Sequence, residues 1–429
     1  MHMEKTIYSR VGETLFHTRL ENGLPIYVNV KPGFRKAFAF FATNYGGMDM
    51  RFQLDGTWQE TPAGVAHFLE HKMFDTKEGN ALQDLAANGA SPNAFTSSAI
   101  TGYYFECTEK FEENLKTLLS FVSVPWFTPE SVEKEQGIIG QEIQMIEDDP
   151  EWQVFIHLLS GLYEHHPIRF SVAGSRESIS HITADTLYAC HKAFYNPANM
   201  VLCVAGDVDP EQVERLAREI LPKDGLSDIP RDYGGPEPTH AAHSVQELRM
   251  EVSTPIFQLG FKADPLPQGP EHLRGELIGT LVSEVLAGSS SPLYARLYRE
   301  GLINKNFGSS FEAYPGCAFL AAGGESRSPE AVRDALLEEA RRLSEEGVDE
   351  ALFLRLKKAL YGAMVRSLNS FEHVCIEQAQ SHFAGVDYLD FPAVFDSIGK
   401  ADVEEALRTW CVPARSTLAV VRPKEEAQA

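Results

Sequence analysis

The 429-residue chain lacks the features that mark membrane, secreted and nucleic-acid-binding proteins. No run approaches the about eighteen apolar residues of a membrane-spanning helix, and the opening residues MHMEK do not resemble a signal peptide. No basic stripe interrupts a net charge of −23, whereas phosphate binding requires clustered Lys and Arg. We therefore expect a cytoplasmic protein that binds neither nucleic acid nor membranes.

Cysteine is also scarce. The six cysteines are widely scattered and include no Cys-x-x-Cys pair; they are Cys107, Cys190, Cys203, Cys317, Cys375 and Cys411. This pattern argues against a disulfide framework and against a cysteine zinc site. We expect the six to be small core residues.

The length exceeds what one hydrophobic core usually supports, so about two domains are expected. A stretch rich in Pro, Gly and Asp lies between residues 222 and 243, which is the composition of a linker. We predict an N-terminal domain at 1–225, a linker at 226–244 and a C-terminal domain at 245–429.

The two predicted domains share a pattern. Strand-like runs at 26–30 and 37–43 precede a helix in the first, and similar runs at 246–252 and 256–261 precede an apolar helix around 277–286 in the second. Only the first of these helices carries histidines. The repetition predicts two similar halves, of which only the first has histidines on the corresponding helix.

That first helix reads GVAHFLEHKMF over residues 64–74. His67 and His71 are four residues apart, about 40° around a helix, so both can reach one metal ion. Glu70 falls about 60° to the other side of His67. The apolar residues Val65, Phe68, Leu69 and Met73 would anchor the helix. Two histidines are an incomplete zinc site, so a third ligand must come from elsewhere.

A second helix is predicted over residues 135–146, with an apolar stripe made of Ile138, Ile139, Ile143 and Ile146. Glu135 and Glu142 are seven residues apart and therefore share a face. We interpret Glu142 as the third ligand and Glu135 as a hydrogen-bond partner that fixes the tautomer of a ligand histidine.

Simpler interpretations remain open for single residues. A lone His-x-x-Glu-His can be a helix with surface histidines, although the second helix argues against this here, and Glu135 can be a solvated helix residue. Asn93 and Ala94 can be a turn leading into a strand. The pair His165–His166 is predicted to be exposed in a loop rather than to bind metal.

The order His-x-x-Glu-His, with a distal Glu in a Glu-x6-Glu helix, resembles the inverzincins, the pitrilysin and mitochondrial processing peptidase family. Residues 89–97 resemble the Asn-Ala-x-Thr strand beside the metal in that family, and residues 180–208 resemble the stretch that closes its first domain. The bacterial branch with chains of this length is similar, including the group linked to modification of elongation factor P.

The resemblance implies an α+β protein with two similar α/β-sandwich domains, each an antiparallel-rich sheet with helices on one face, the half-clamshell of this family. It implies one zinc ion bound by His67, His71 and Glu142, with Glu70 as the general base. The expected activity is hydrolysis of peptide bonds in unstructured peptides or small proteins.

In that family the strand corresponding to Asn93, Ala94 and Thr96 lies at a sheet edge and pairs with an extended substrate. Catalytic members also carry, in the second half, an Arg followed about seven residues later by a Tyr. Here the Arg position aligns with Tyr298, and Arg299 can substitute only by a one-residue shift. No Tyr occurs near residues 305 and 306, and the nearby Phe307 cannot donate a hydrogen bond.

This departure predicts a partner. A homologous metal-free subunit that supplies the missing donors would complete a heterodimer, while a homodimer or a slow monomer is the simpler alternative. The chain can also be a non-catalytic subunit that binds peptides. Glu70 argues against this, since a carboxylate that lies beside the zinc without binding it has an obvious use only as a base.

Overall fold

Fourteen strands in the computed structural model, which describes residues 3–223 and 229–424, form two mixed sheets and a separate hairpin. The strands are β1 (Glu4–Tyr8), β2 (Glu13–Arg19), β3 (Pro25–Val30), β4 (Ala37–Thr43), β5 (Arg51–Leu54), β6 (Thr57–Glu60), β7 (Ser91–Thr96), β8 (Thr101–Cys107), β9 (Met200–Gly206), β10 (Val245–Met250), β11 (Ile256–Ala263), β12 (Gly308–Tyr314), β13 (Cys317–Glu325) and β14 (Ser416–Pro423).

The helices are α1 (Val65–Met73), α2 (Ala81–Ala87), α3 (Phe111–Ser123), α4 (Pro129–Asp148), α5 (Pro150–Leu162), α6 (Arg176–Ser180), α7 (Ala184–Phe194), α8 (Pro210–Ile220), α9 (Pro270–Ala287), α10 (Pro292–Arg299), α11 (Pro329–Glu346), α12 (Glu350–Ser367), α13 (Phe371–Phe383), α14 (Phe391–Ser397) and α15 (Lys400–Trp410). None of the helices in the described ranges has the length and apolar character that crossing a membrane requires.

The two sheets repeat one topology. The first has the order β1-β2-β3-β9-β4-β8-β7, and the second has the order β10-β14-β11-β13-β12. In each sheet one pair of strands is parallel, β3 with β9 and β10 with β14, and the other neighbours are antiparallel. The predicted α+β class with two similar halves is confirmed.

The chain divides into two compact units. Unit 1 comprises Met1–Ile143, Ser171–Tyr233 and Met364–Pro392, and unit 2 comprises Gln144–Phe170, Gly234–Ala363 and Ala393–Ala429. These units differ from the predicted domains 1–225 and 245–429 in two segments. Residues 144–170 belong to unit 2, and residues 364–392 belong to unit 1. Part of the predicted linker 226–244 lies outside the described residues, and the rest is shared between the units.

The packing of α13 and α5 explains why these two segments belong to units that are distant in sequence. In unit 1, α13 packs on the sheet face that carries Phe38 and Phe40, while Tyr103 on the opposite face contacts Phe121 of α3. In unit 2, α5 packs against Phe319, and Phe311 on the opposite face stacks on Trp410 of α15. Helices therefore cover both faces of each sheet, and not one as predicted. The second face is covered by a helix from a distant part of the chain.

All six cysteines are buried and free, as predicted. The histidine pair is divided. His165 is exposed, but His166 is buried, with Nε2 3.0 Å from the Pro315 carbonyl and Nδ1 accepting from the Ile168 amide. Burial lowers the pKa of His166. The prediction of exposure was therefore wrong for His166, because a loop histidine can satisfy both ring nitrogens internally.

Candidate metal centre

The centre is built on α1, whose start is fixed by Gly64. This residue has φ of +96°, and a Cβ there would lie 2.6 Å from the Ala173 carbonyl oxygen, so only glycine fits. The four apolar residues predicted to anchor the helix, Val65, Phe68, Leu69 and Met73, are all buried. Their burial turns the histidine side of the helix toward α4.

The predicted partner helix α4 begins at Pro129, where Thr128 and Ser131 exchange hydrogen bonds in a capping arrangement. Of its predicted apolar stripe, Ile139 and Ile143 are buried, but Ile138 is 47% exposed. Four residues before Glu142, Ile138 lies on the ligand side of the helix. Including it in the buried stripe was wrong.

His67, His71 and Glu142 converge. One ligand atom of each lies within 4.8 Å of the others. Glu142 Oε1 is 3.4 Å from His67 Nε2, and Glu142 Oε2 is 3.5 Å from His71 Nε2. Two ligand atoms about 2.1 Å from a tetrahedral zinc ion are separated by about 3.4 Å. The donor set and its spacing therefore fit zinc, with a fourth position left for water.

Glu135 lies behind His71. Its Oε1 is 3.2 Å from His71 Nδ1, so the ring donates from Nδ1 and presents Nε2 to the centre. Burial lowers the pKa of His71, but this hydrogen bond and the charges of Glu70 and Glu142 outweigh it and raise the pKa. A hydrogen bond with His67 lowers the pKa of Glu142, which favours the ligating carboxylate form.

Glu70 is 7% exposed and lies on the same helix turn. Burial raises its pKa, and the nearby His67 and a hydrogen bond from Thr96 partly oppose that shift. Thr96 Oγ1 donates to Glu70 Oε2 over 2.9 Å. Thr96 was predicted to lie on the strand that pairs with substrate, and in the structure its hydroxyl contacts Glu70.

Asn93 and Ala94 lie on β7, an edge strand of the unit 1 sheet. The Ala94 amide donates to the Asn93 side-chain oxygen over 2.9 Å, and Asn93 is also hydrogen-bonded to Tyr104 on the neighbouring strand. Both residues line a cavity of about 480 Å³ that also contacts Glu70 and His71. The strand and the metal helix thus share one site.

Arg299 belongs to unit 2, at the end of α10, where its Nε donates to the Ala295 carbonyl over 3.1 Å. Tyr298 is 53% exposed, and Phe307 is buried with its ring against Phe257 and Tyr294. Phe307 is therefore a core residue. The predicted substrate role of Arg299 stays a prediction.

One residue of the site escaped sequence reasoning. Lys72 follows a ligand histidine, yet its side chain is only 1% exposed. A signal existed, because residue 72 lies seven positions after the buried Val65 and therefore on the buried side of the helix. The signal was missed because lysine was assumed to be exposed.

Family models match most of the chain. A model described as Insulinase (Peptidase family M16) matches residues 55–176, and one described as Peptidase M16 inactive domain matches residues 181–360. The uncharacterized zinc protease YmfH of Bacillus subtilis is 38% identical over 422 residues, or 97% of this chain and 98% of YmfH.

Solved structures agree. A protein from Alicyclobacillus acidocaldarius described as M16-like superposes with a TM-score of 0.93 at 31% identity, covering 96% of this chain and 99% of the other. A protease from Helicobacter pylori gives a TM-score of 0.79 at 19% identity, covering 95% and 99%, and shares the fold. The chain belongs to peptidase family M16.

Proposed function

We propose that this chain is a zinc peptidase that hydrolyses peptide bonds in extended, unstructured peptides. One observation carries the proposal. His67, His71 and Glu142 have the spacing of three zinc ligands, and a buried carboxylate that is not among them, Glu70, lies beside them. A site that only stabilised the fold would need the ligands but not this fourth residue.

The three ligands would hold one zinc ion. When bound, zinc acts as a Lewis acid and lowers the pKa of its water to about 7. Glu70 would accept the proton as the water attacks the peptide carbonyl, and would pass it to the departing amine. Thr96 would hold the carboxylate in position.

The substrate would add to the edge of the sheet at β7. The outward Ala94 amide donates to Asn93 in the structure, and a substrate carbonyl would take the place of that side-chain oxygen. Main-chain pairing recognises an extended backbone and tolerates many side chains. A folded protein, whose strands are already paired, would be a poor substrate.

The test is cleavage of an unstructured peptide library by the purified chain, with zinc content measured on every sample. Glu70→Gln should bind zinc as wild type does and should not cleave, whereas His71→Ala should lose both zinc and cleavage. Glu133→Gln, an exposed carboxylate on the same helix as Glu142, is the matched control and should match wild type. Equal cleavage by wild type and Glu70→Gln would reject the peptidase proposal.

If wild type and Glu70→Gln both bind zinc and neither cleaves the peptides, the result would favour the alternative of a subunit that binds peptides or depends on a partner. The proposed partner is a homologous metal-free chain that supplies the Arg and Tyr missing around Arg299 and Phe307. Turnover by the isolated chain at the rate of ordinary peptidases, about 1–1000 per second, would remove the need for one. Activity restored by a co-purifying homologue would support it.

A further inference from the structure

Lys72 carries a charge in a place where charge is costly. Its side chain is 1% exposed, and it is among the largest fully buried side chains in the described residues. A buried ammonium destabilises a protein unless anions compensate it. An apolar side chain would fill this position on the metal helix at lower cost, so the ammonium calls for a specific explanation.

Two carboxylates compensate the charge. The Lys72 ammonium forms an ion pair with Asp75, just past the end of the helix, and lies 3.9 Å from Glu135 Oε2. The other oxygen of Glu135 accepts from His71 Nδ1. The groups therefore form a continuous series from Asp75 through Lys72 and Glu135 to the ligand His71.

We propose that Lys72 is a positioning residue for the metal centre, which holds the Glu135 carboxylate against His71 Nδ1 so that Nε2 stays directed at the metal. Without the ammonium, Asp75 and Glu135 would lack the cation between them, and their repulsion would favour movement of Glu135 away from His71. This inference rests on the proposed metal site and adds the residue that supports it. Partners of this kind change metal affinity by about 10- to 100-fold.

The experiment measures zinc affinity by competition with a chromophoric chelator, using the metal-free full chain and zinc alone. Lys72→Met, which keeps the length of the side chain and removes its charge, should weaken zinc binding by about 10- to 100-fold. Lys77→Met removes an exposed ammonium five residues after Lys72, outside the cavity at the site, and should change affinity less than about twofold. Should Lys72→Met not fold, Lys72→Gln replaces it.

A double-mutant cycle separates positioning from general destabilisation. If Lys72 acts through Glu135, then Lys72→Met should have little further effect on zinc affinity in the Glu135→Gln background. In the zinc-loaded wild type, the ¹⁵N spectrum should show His71 protonated at Nδ1, and this proton should exchange with water faster in Lys72→Met.

The outcomes are distinct. The inference would be overturned if Lys72→Met bound zinc as tightly as wild type does. It would also be overturned if Lys72→Met weakened zinc binding equally in the wild-type and Glu135→Gln backgrounds. Either result would leave the proposed function intact. Failure of the wild-type chain to bind zinc would instead reject the metal site, and the inference with it.

Discussion

Replacing Glu237 with glutamine should destabilise unit 2 at neutral pH. The Glu237 carboxylate accepts hydrogen bonds from the backbone amides of Glu164, His165 and His166, at 2.7, 2.9 and 3.0 Å. It also accepts from the Lys262 ammonium at 2.8 Å. Glu237, which lies within the predicted linker 226–244, thus fastens that segment to the loop that follows α5.

The pKa of Glu237 gives the magnitude. Burial raises it, but the hydrogen bonds from Lys262 and the amides outweigh burial and lower it from 4.5 to about 2. A difference of about 2.5 corresponds to about 3.4 kcal/mol of stabilisation at neutral pH. Burial also lowers the pKa of Lys262, and the Glu237 side chain is 14% exposed, so we expect about 2 kcal/mol.

The sign of the pH dependence follows. Because the folded-state pKa lies below the unfolded value, the stabilisation is complete above about pH 4.5 and is lost as the pH falls toward 2. Urea unfolding of the full chain, followed by circular dichroism, should therefore show Glu237→Gln about 2 kcal/mol less stable at pH 7, with a difference that narrows below about pH 4.5. The neighbouring, exposed Glu164→Gln is the control and should change stability by less than about 0.5 kcal/mol. A Glu237→Gln difference that is negligible at pH 7, or unchanged at pH 3, would refute this account.

Three further predictions concern the site and its sheet. Ala94→Pro removes the outward amide of the edge strand and should raise KM for extended peptides about five- to tenfold without loss of zinc; an unchanged KM would argue against strand pairing. Thr96→Val removes the hydroxyl that lowers the pKa of Glu70, so the acid limb of the kcat/KM profile should move to higher pH, and a profile identical to that of wild type would contradict this role. Gly102→Ala places a Cβ 2.1 Å from the Phe40 ring and should lower the free energy of unfolding by about 1–3 kcal/mol, measured by urea unfolding; a neutral effect would mean that the ring can move aside.

Local pattern predicted much of the site. The metal helix expected at 64–74 spans Val65–Met73, and the second helix expected at 135–146 lies within α4 (Pro129–Asp148). These features depend on helical spacing and on capping residues, which act within a few positions. The convergence of His67 and His71 follows directly from that spacing.

Long-range packing was beyond the sequence. Residues 371–383 cover the sheet of unit 1, and residues 150–162 cover the sheet of unit 2. The local sequence does not predict either contact, because an apolar helix face does not specify which sheet it packs against. The partners of Thr96 and Lys72 were missed for a similar reason. A hydroxyl or an ammonium can be satisfied by water, and only the folded chain shows which protein group replaces the water.

The position of Glu70 links the fold to chemistry. Burying a carboxylate opposes folding, and the raised pKa of Glu70 records that opposition. His67 and Thr96 compensate that cost only in part. A protein that used this centre only to bind metal would be more stable with an apolar residue at position 70. The proposed proton transfer would explain an acid at this position, and a Glu70→Gln variant that binds zinc but does not cleave would separate that explanation from a structural one.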